Sequence, residues 1–105
     1  MNHVTISGEI VGDIIQELDR EMKTVKFKIK NFYFFPAKKH NEVTYIRCIA
    51  YGSLASYCYS ELYEGAKVII TGRILNRHYI VNNSSIDILY VGCNTVSKLD
   101  QEDYV

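Results

Sequence analysis

Between Thr44 and Gly65 the hydrophobic period changes once, and that change limits the folds open to the chain. From Thr44 to Tyr51 (Thr-Tyr-Ile-Arg-Cys-Ile-Ala-Tyr) the period is two. Tyr45, Arg47, Ile49 and Tyr51 therefore share one strand face, and Ile46, Cys48 and Ala50 share the other. The second set is small and apolar, as a core face requires. The first sets phenol rings around a guanidinium, a composition suited to stacking on bases while neutralising phosphate. Beyond Gly52 the spacing of Leu54, Ala55, Tyr57, Cys58 and Leu62 predicts a short amphipathic helix, with Ser53 as its N-cap and Gly65 as its end. A ligand-facing strand runs into a helix, and the helix into another strand.

The flanking segments add four more strands. Val4 and Ile6 alternate with Thr5 and Ser7, and Ile10 and Val11 extend the run, so residues 3–11 read as a strand with a break or bulge near Gly8. Gly12 to Met22 is acidic, fits either a helical turn or a strand connection, and is expected to be a loop. From Lys23 the alternation is sharp: Val25, Phe27 and Ile29 go to one side and Lys26, Lys28 and Lys30 to the other. If the strand stays regular past Asn31, Phe32 and Phe34 join the lysine face. Such a lysine row is a solvated or edge-protecting face in one reading and a phosphate-facing one in the other. The aromatic block Phe32 to Phe35 before Pro36 favours the second. Lys67 to Leu75 is an apolar strand interrupted by Gly72, continuing to Val81 with Arg73, Leu75, Arg77 and Tyr79 on one face. Asn82 to Ser85 is a turn, Ile86 to Val91 the last strand, and Lys98 to Val105 a short acidic tail.

Five short strands with one helix between the third and fourth give an all-β chain in the order of the OB-fold, a partly open Greek-key barrel. At 105 residues it is one domain, residues 1–97, followed by the tail at 98–105. The formal net charge is zero but unevenly spread. Residues 1–22 hold five acids and one base, whereas residues 23–47 hold seven bases and one acid, Glu42. Cys48, Cys58 and Cys93 read as reduced thiols, and none of the three histidines has a His or Cys neighbour at ligand spacing, so no metal or other cofactor is expected. No apolar run approaches a bilayer span and the start of the chain lacks the pattern of a signal peptide, which predicts a cytoplasmic protein with no membrane partner.

Spaced motifs over residues 2–92 resemble the bacterial and phage single-stranded DNA-binding proteins. They are Asn2, Val4 and Gly8; Phe27-Lys28-Ile29; Tyr45 to Tyr51-Gly52 followed by Leu54-Ala55; Gly65; Gly72-Arg73; and Arg77-His78-Tyr79. The resemblance implies sequence-independent binding of single-stranded DNA during replication, recombination or repair, without catalysis and in association with the nucleoid. It implies base stacking on Tyr45, Tyr51 and Tyr79 with a further ring from Phe32 or Phe34, and backbone contacts from Arg47, Arg73 and Arg77. The basic block adds Lys26, Lys28, Lys30, Lys38 and Lys39 as candidate phosphate ligands. A homodimer or homotetramer pairing through the first strand is implied, with replication proteins as further partners. The chain departs from the family in having no tryptophan, in its row of lysines, and in an end without a long linker or a Pro-Phe tip.

Two other binding readings stay open at this point: a short primosomal replication protein of the same fold, and an OB-fold protein-interaction module with an idle groove. An enzyme is disfavoured, because no Ser/His/Asp or Cys/His set and no phosphate-cradling glycine loop is brought together by spacing.

Overall fold

The computed structural model describes residues 1–99, which form strands β1 (Val4–Asp19), β2 (Met22–Phe35), β3 (His40–Tyr51), β4 (Lys67–Val81) and β5 (Ser84–Leu99), with helix α1 (Gly52–Glu61) between β3 and β4. The strands close in the order β1-β2-β3-β5-β4. Four neighbouring pairs are antiparallel; the last gap is closed by a short parallel contact, Cys48 to Val91 and Ile49 to Gly92. A closed five-stranded barrel with one short helix between the third and fourth strands is the OB-fold expected from the sequence.

The inward sets of each strand meet in one core. Val25, Phe27 and Ile29 of β2, Cys48 and Ala50 of β3, and Val68 and Ile70 of β4 are buried together with Ile10. The helix plugs this core with Ala55 and Cys58, and Leu62 seals its end. Ser53 makes no cap hydrogen bond; the N-cap position is the extended Tyr51. The helix stops at Glu61 rather than Gly65, with Leu62 N–H donating to the Cys58 carbonyl. Gly65 serves the next turn, where its N–H donates to Ile10, and Ile10 in turn donates to Ala66.

β1 differs most from expectation. The acidic stretch after Gly12 is strand, not loop, and carries β1 to a two-residue turn at Arg20–Glu21, both in the left-handed region at φ 49° and 68°. The irregularity is not at Gly8, which pairs in register with Val68. A Cβ at Gly8 would lie 2.8 Å from the Lys30 carbonyl oxygen, so glycine there permits close strand approach. The bulge falls between Val11, paired with Lys28, and Ile15, paired with Lys26. Three residues, Gly12 to Ile14, thus oppose Phe27 alone, and Gly12 turns at φ 76°.

β5 is also longer than predicted. It begins at Ser84, after a tight turn at Asn82–Asn83, and Lys98 and Leu99 continue the ladder opposite Val68 and Lys67. Two residues assigned to the tail are therefore barrel; the rest of it lies outside the described residues.

Three hairpins extend beyond the closed barrel as arms, β1–β2, β2–β3 and β4–β5. At the β4–β5 root the register shifts between Thr71 and Gly72, leaving Asn94 unpaired. Gly72 there lies against the Gly92 carbonyl, and Gly92 leaves room for the Leu75 side chain.

Candidate nucleic-acid interface

The β2–β3 ladder runs unbroken from Thr24–Tyr51 to Phe35–His40. Paired residues of an antiparallel ladder point to the same side. Lys26, Lys28, Lys30, Phe32 and Phe34 of β2 therefore share a face with Ile49, Arg47, Tyr45 and Val43 of β3. Lys28 stands opposite Arg47, and Lys30 opposite Tyr45. Tyr45 is 62% exposed, Phe32 and Phe34 are exposed, and the Lys30 ammonium sits 5.0 Å from the Phe32 ring centre. This is an open row in which cations and rings alternate.

At the barrel end of the row the β4–β5 arm comes across and ties down the remaining candidates. Arg77 donates from Nε to the Tyr51 hydroxyl at 3.0 Å, and from Nη2 as well. Lys26 donates to the Tyr79 hydroxyl at 3.2 Å, its ammonium lying 5.4 Å from the Tyr79 ring centre and 6.0 Å from that of Tyr90. The Tyr79 and Tyr90 hydroxyls are 3.3 Å apart. Burial works against the charge of Lys26, but the bond to Tyr79 and the nearby Tyr79, Tyr90 and Glu17 hold its pKa above the usual lysine value. The hydrogen bond with Tyr90, with Lys26 adding to it, lowers the Tyr79 phenol, while desolvation raises that of Tyr90. Ile49, expected on the ligand face, is only 2% exposed and forms floor beneath this cluster.

The other basic candidates lie further out. Arg73 is exposed at the root of the β4–β5 arm, on the strand side that carries Arg77 and Tyr79. Lys38 and Lys39 occupy the tip of the β2–β3 arm. Lys38 reaches the reverse side, 5.2 Å from the Phe35 ring centre and 3.5 Å from Glu42, whose own partner His40 is 3.2 Å away. That reverse side carries Tyr33 packed edge-on against Phe35.

Two residues of the cluster were missed from sequence, Tyr90 and Glu17. Tyr90 follows Ile86 and Ile88 at a spacing of two, and this alternation in β5 was the available signal. Arg47 and Tyr90 line two adjoining hollows. One, of about 330 Å³, opens under the β1 bulge and is also lined by Gly12, Asp13, Lys26 and Lys28. The other, of about 370 Å³, lies toward Tyr45 and Leu89. Among the described residues no group of His, Cys, Asp or Glu is placed to hold a metal, and no helix is long and apolar enough to cross a membrane.

Comparison with known proteins gives a consistent result. The family described as "Single-strand binding protein family" matches residues 1–97. Among solved structures, an SSB of Plasmodium falciparum in complex with ssDNA is similar at a TM-score of 0.82 and 16% identity, covering 95% of this chain and 96% of that one. The small single-stranded DNA-binding protein of Streptomyces coelicolor is similar at a TM-score of 0.73 and 14% identity, covering 96% and 95%. No curated protein sequence matches the chain.

Proposed function

We propose that this chain, which belongs to the single-strand binding protein family, holds single-stranded DNA along the exposed face of the β2–β3 ladder and in the groove beneath the β4–β5 arm. It is a binding protein and not an enzyme. The observation that carries the reading is the unbroken register that sets Lys28, Lys30 and Arg47 among Tyr45, Phe32 and Phe34 on one open face. Rings of this kind stack on any base because every base has a π-face, and the cations track the backbone, so binding is independent of sequence. A duplex keeps its bases stacked inside and offers these rings nothing.

Lys26, Arg77, Tyr51 and Tyr79 form the inner end of the site, where their hydrogen bonds hold the rings in place before the strand arrives. Arg73 and Lys39 extend its charge at the two rims, and Lys38, turned to the reverse side, contributes least.

The reading includes self-association. β1 pairs with β4 over Val4 to Glu9 but with β2 only from Glu9 onward, so among the described residues the segment before Glu9 has one side without a ladder partner. Such an edge is a template for a second copy, giving a symmetric dimer or tetramer. Ile10, being fully buried, belongs to the core and not to that contact. A cytoplasmic role in coating DNA during replication, recombination or repair follows from the same reading.

The test is a titration with poly-dT, duplex DNA and RNA of equal length. Tight, salt-dependent binding of poly-dT and weak binding of duplex is the expected result; equal affinity for duplex, or no binding, overturns the reading. Sedimentation at micromolar protein tests the oligomer, and a monomer there would remove it.

A further inference from the structure

Among the described residues Lys26 is the one cation of the groove face with a carboxylate already beside it: its Nζ lies 3.4 Å from Glu17 Oε2. Among the described residues Lys28, Lys30, Arg47 and Arg77 have no such partner. Glu17 comes from the part of β1 beyond the bulge, where it pairs with Thr24, which in turn pairs with Tyr51. The register thus points Glu17 to the same side as Lys26 and Tyr51 and places an acid on the border of a basic face. The lysine side chain is 23% exposed and that of Glu17 50%, so the cation is the held partner and the acid the one open to solvent.

We propose that Glu17 is a built-in competitor of the DNA backbone for Lys26, so that a phosphate gains this lysine only by displacing the carboxylate. The inference rests on the reading of the groove as the DNA site. The carboxylate keeps the Lys26 ammonium over the Tyr79 and Tyr90 rings in the empty groove, and it disfavours any anion too weak to replace it. A half-exposed pair is worth no more than about 1 kcal/mol, so Glu17 sets the strength of binding at the inner end without preventing it. The pair is also screened by salt, so the competitor loses its hold as ionic strength rises.

The experiment compares poly-dT binding by the full chain and by Glu17→Gln, Lys26→Gln and the double variant across a salt series. Glu21→Gln serves as control, removing the same charge from the tip of the same hairpin. Glu17→Gln is expected to bind about 2- to 5-fold more tightly at low salt, with the gain fading toward none at high salt. In the Lys26→Gln background it should have no effect, and Glu21→Gln should give a smaller gain. Unchanged or weaker binding by Glu17→Gln overturns the proposal. So does an equal gain from Glu21→Gln or a gain that persists without Lys26, because either would mean a general field. If the parent chain shows no salt-dependent affinity for poly-dT, the groove reading itself fails; if it does and only the Glu17 series is flat, this inference alone fails. Thermal melts of the variants establish that each is folded.

Discussion

Arg77 of β4 donates to the phenol of Tyr51 at the end of β3, and this bond ties the β4–β5 arm to the ladder it crosses. A ring held in this way is at once part of the proposed ligand face and part of the fold.

That dual role separates the tyrosines by experiment. Tyr45→Ala is expected to weaken poly-dT binding by about 5- to 150-fold, since each stacked base is worth roughly 1–3 kcal/mol, while leaving the melting temperature unchanged because the ring is largely exposed. Tyr51→Ala and Tyr79→Ala should lose comparable affinity and also melt lower by about 4–8 °C, the shift for a loss of roughly 1 kcal/mol in a domain of this size. Tyrosine emission, free of tryptophan, reports both binding and unfolding.

Salt dependence counts the phosphates met by the groove. If about five of Lys26, Lys28, Lys30, Arg47, Arg73 and Arg77 each meet one, log affinity falls with log salt at a slope of about −3 to −4. Lys28→Gln should reduce that slope by about 0.7, whereas Lys38→Gln, on the reverse side of its arm, should leave it unchanged. Equal effects from the two would mean that the strand passes over both sides of the arm.

The thiols predict behaviour in alkali. Burial, followed by the field of Cys93, pushes Cys58 up to about 12 from an ordinary 9.0. The neighbouring thiol of Cys93, followed by burial, pushes Cys48 up as well. In that window the unfolded chain has released protons that the folded chain still holds, so stability is intact below about pH 9 and falls as pH rises from there. Urea midpoints at pH 8, 9 and 10 check the direction. At pH 8 a thiol reagent should reach Cys48 and Cys58 only as the chain unfolds.

The arm root is predicted to be intolerant in a graded way. A Cβ at Gly72 meets the Gly92 carbonyl, which is backbone and cannot step aside, whereas one at Gly92 meets the end of the Leu75 side chain, which can rotate. Gly72→Ala should therefore cost about 1–3 kcal/mol in overpacking and Gly92→Ala clearly less. Chemical denaturation ranks the two.

That Lys28 and Lys30 share one face of β2, and Tyr45 and Arg47 one face of β3, was legible in the sequence because both strands stay regular, so a period counted locally stays true along their length; which residue stands opposite which was not. The same counting failed in β1. Gly12 to Ile14 stand opposite Phe27 alone, two residues more than a regular ladder holds, and Ile14, Ile15 and Leu18 then match neither a simple strand nor a helix. Nor could the period show that Ile49 is covered or that Lys26 meets Tyr79. That contact joins positions 53 residues apart and depends on where the β4–β5 arm crosses the barrel. For Tyr90 the alternation with Ile86 and Ile88 marks the strand face, but its contact with Tyr79 again depends on how β4 and β5 pair.

The unbroken β2–β3 ladder has a consequence for the shape of the complex. A two-stranded ribbon twists in a fixed right-handed sense, more strongly than strands within a wide sheet. The row from Lys26 to Phe34 is therefore a spiral and not a plane, most tightly wound beyond Lys30, where β2 and β3 pair without β1, and its handedness is set by the L-residues of the strands. DNA that keeps to this row is wound about the arm in one sense, so its direction of travel on leaving the inner groove is already chosen by the backbone of the protein.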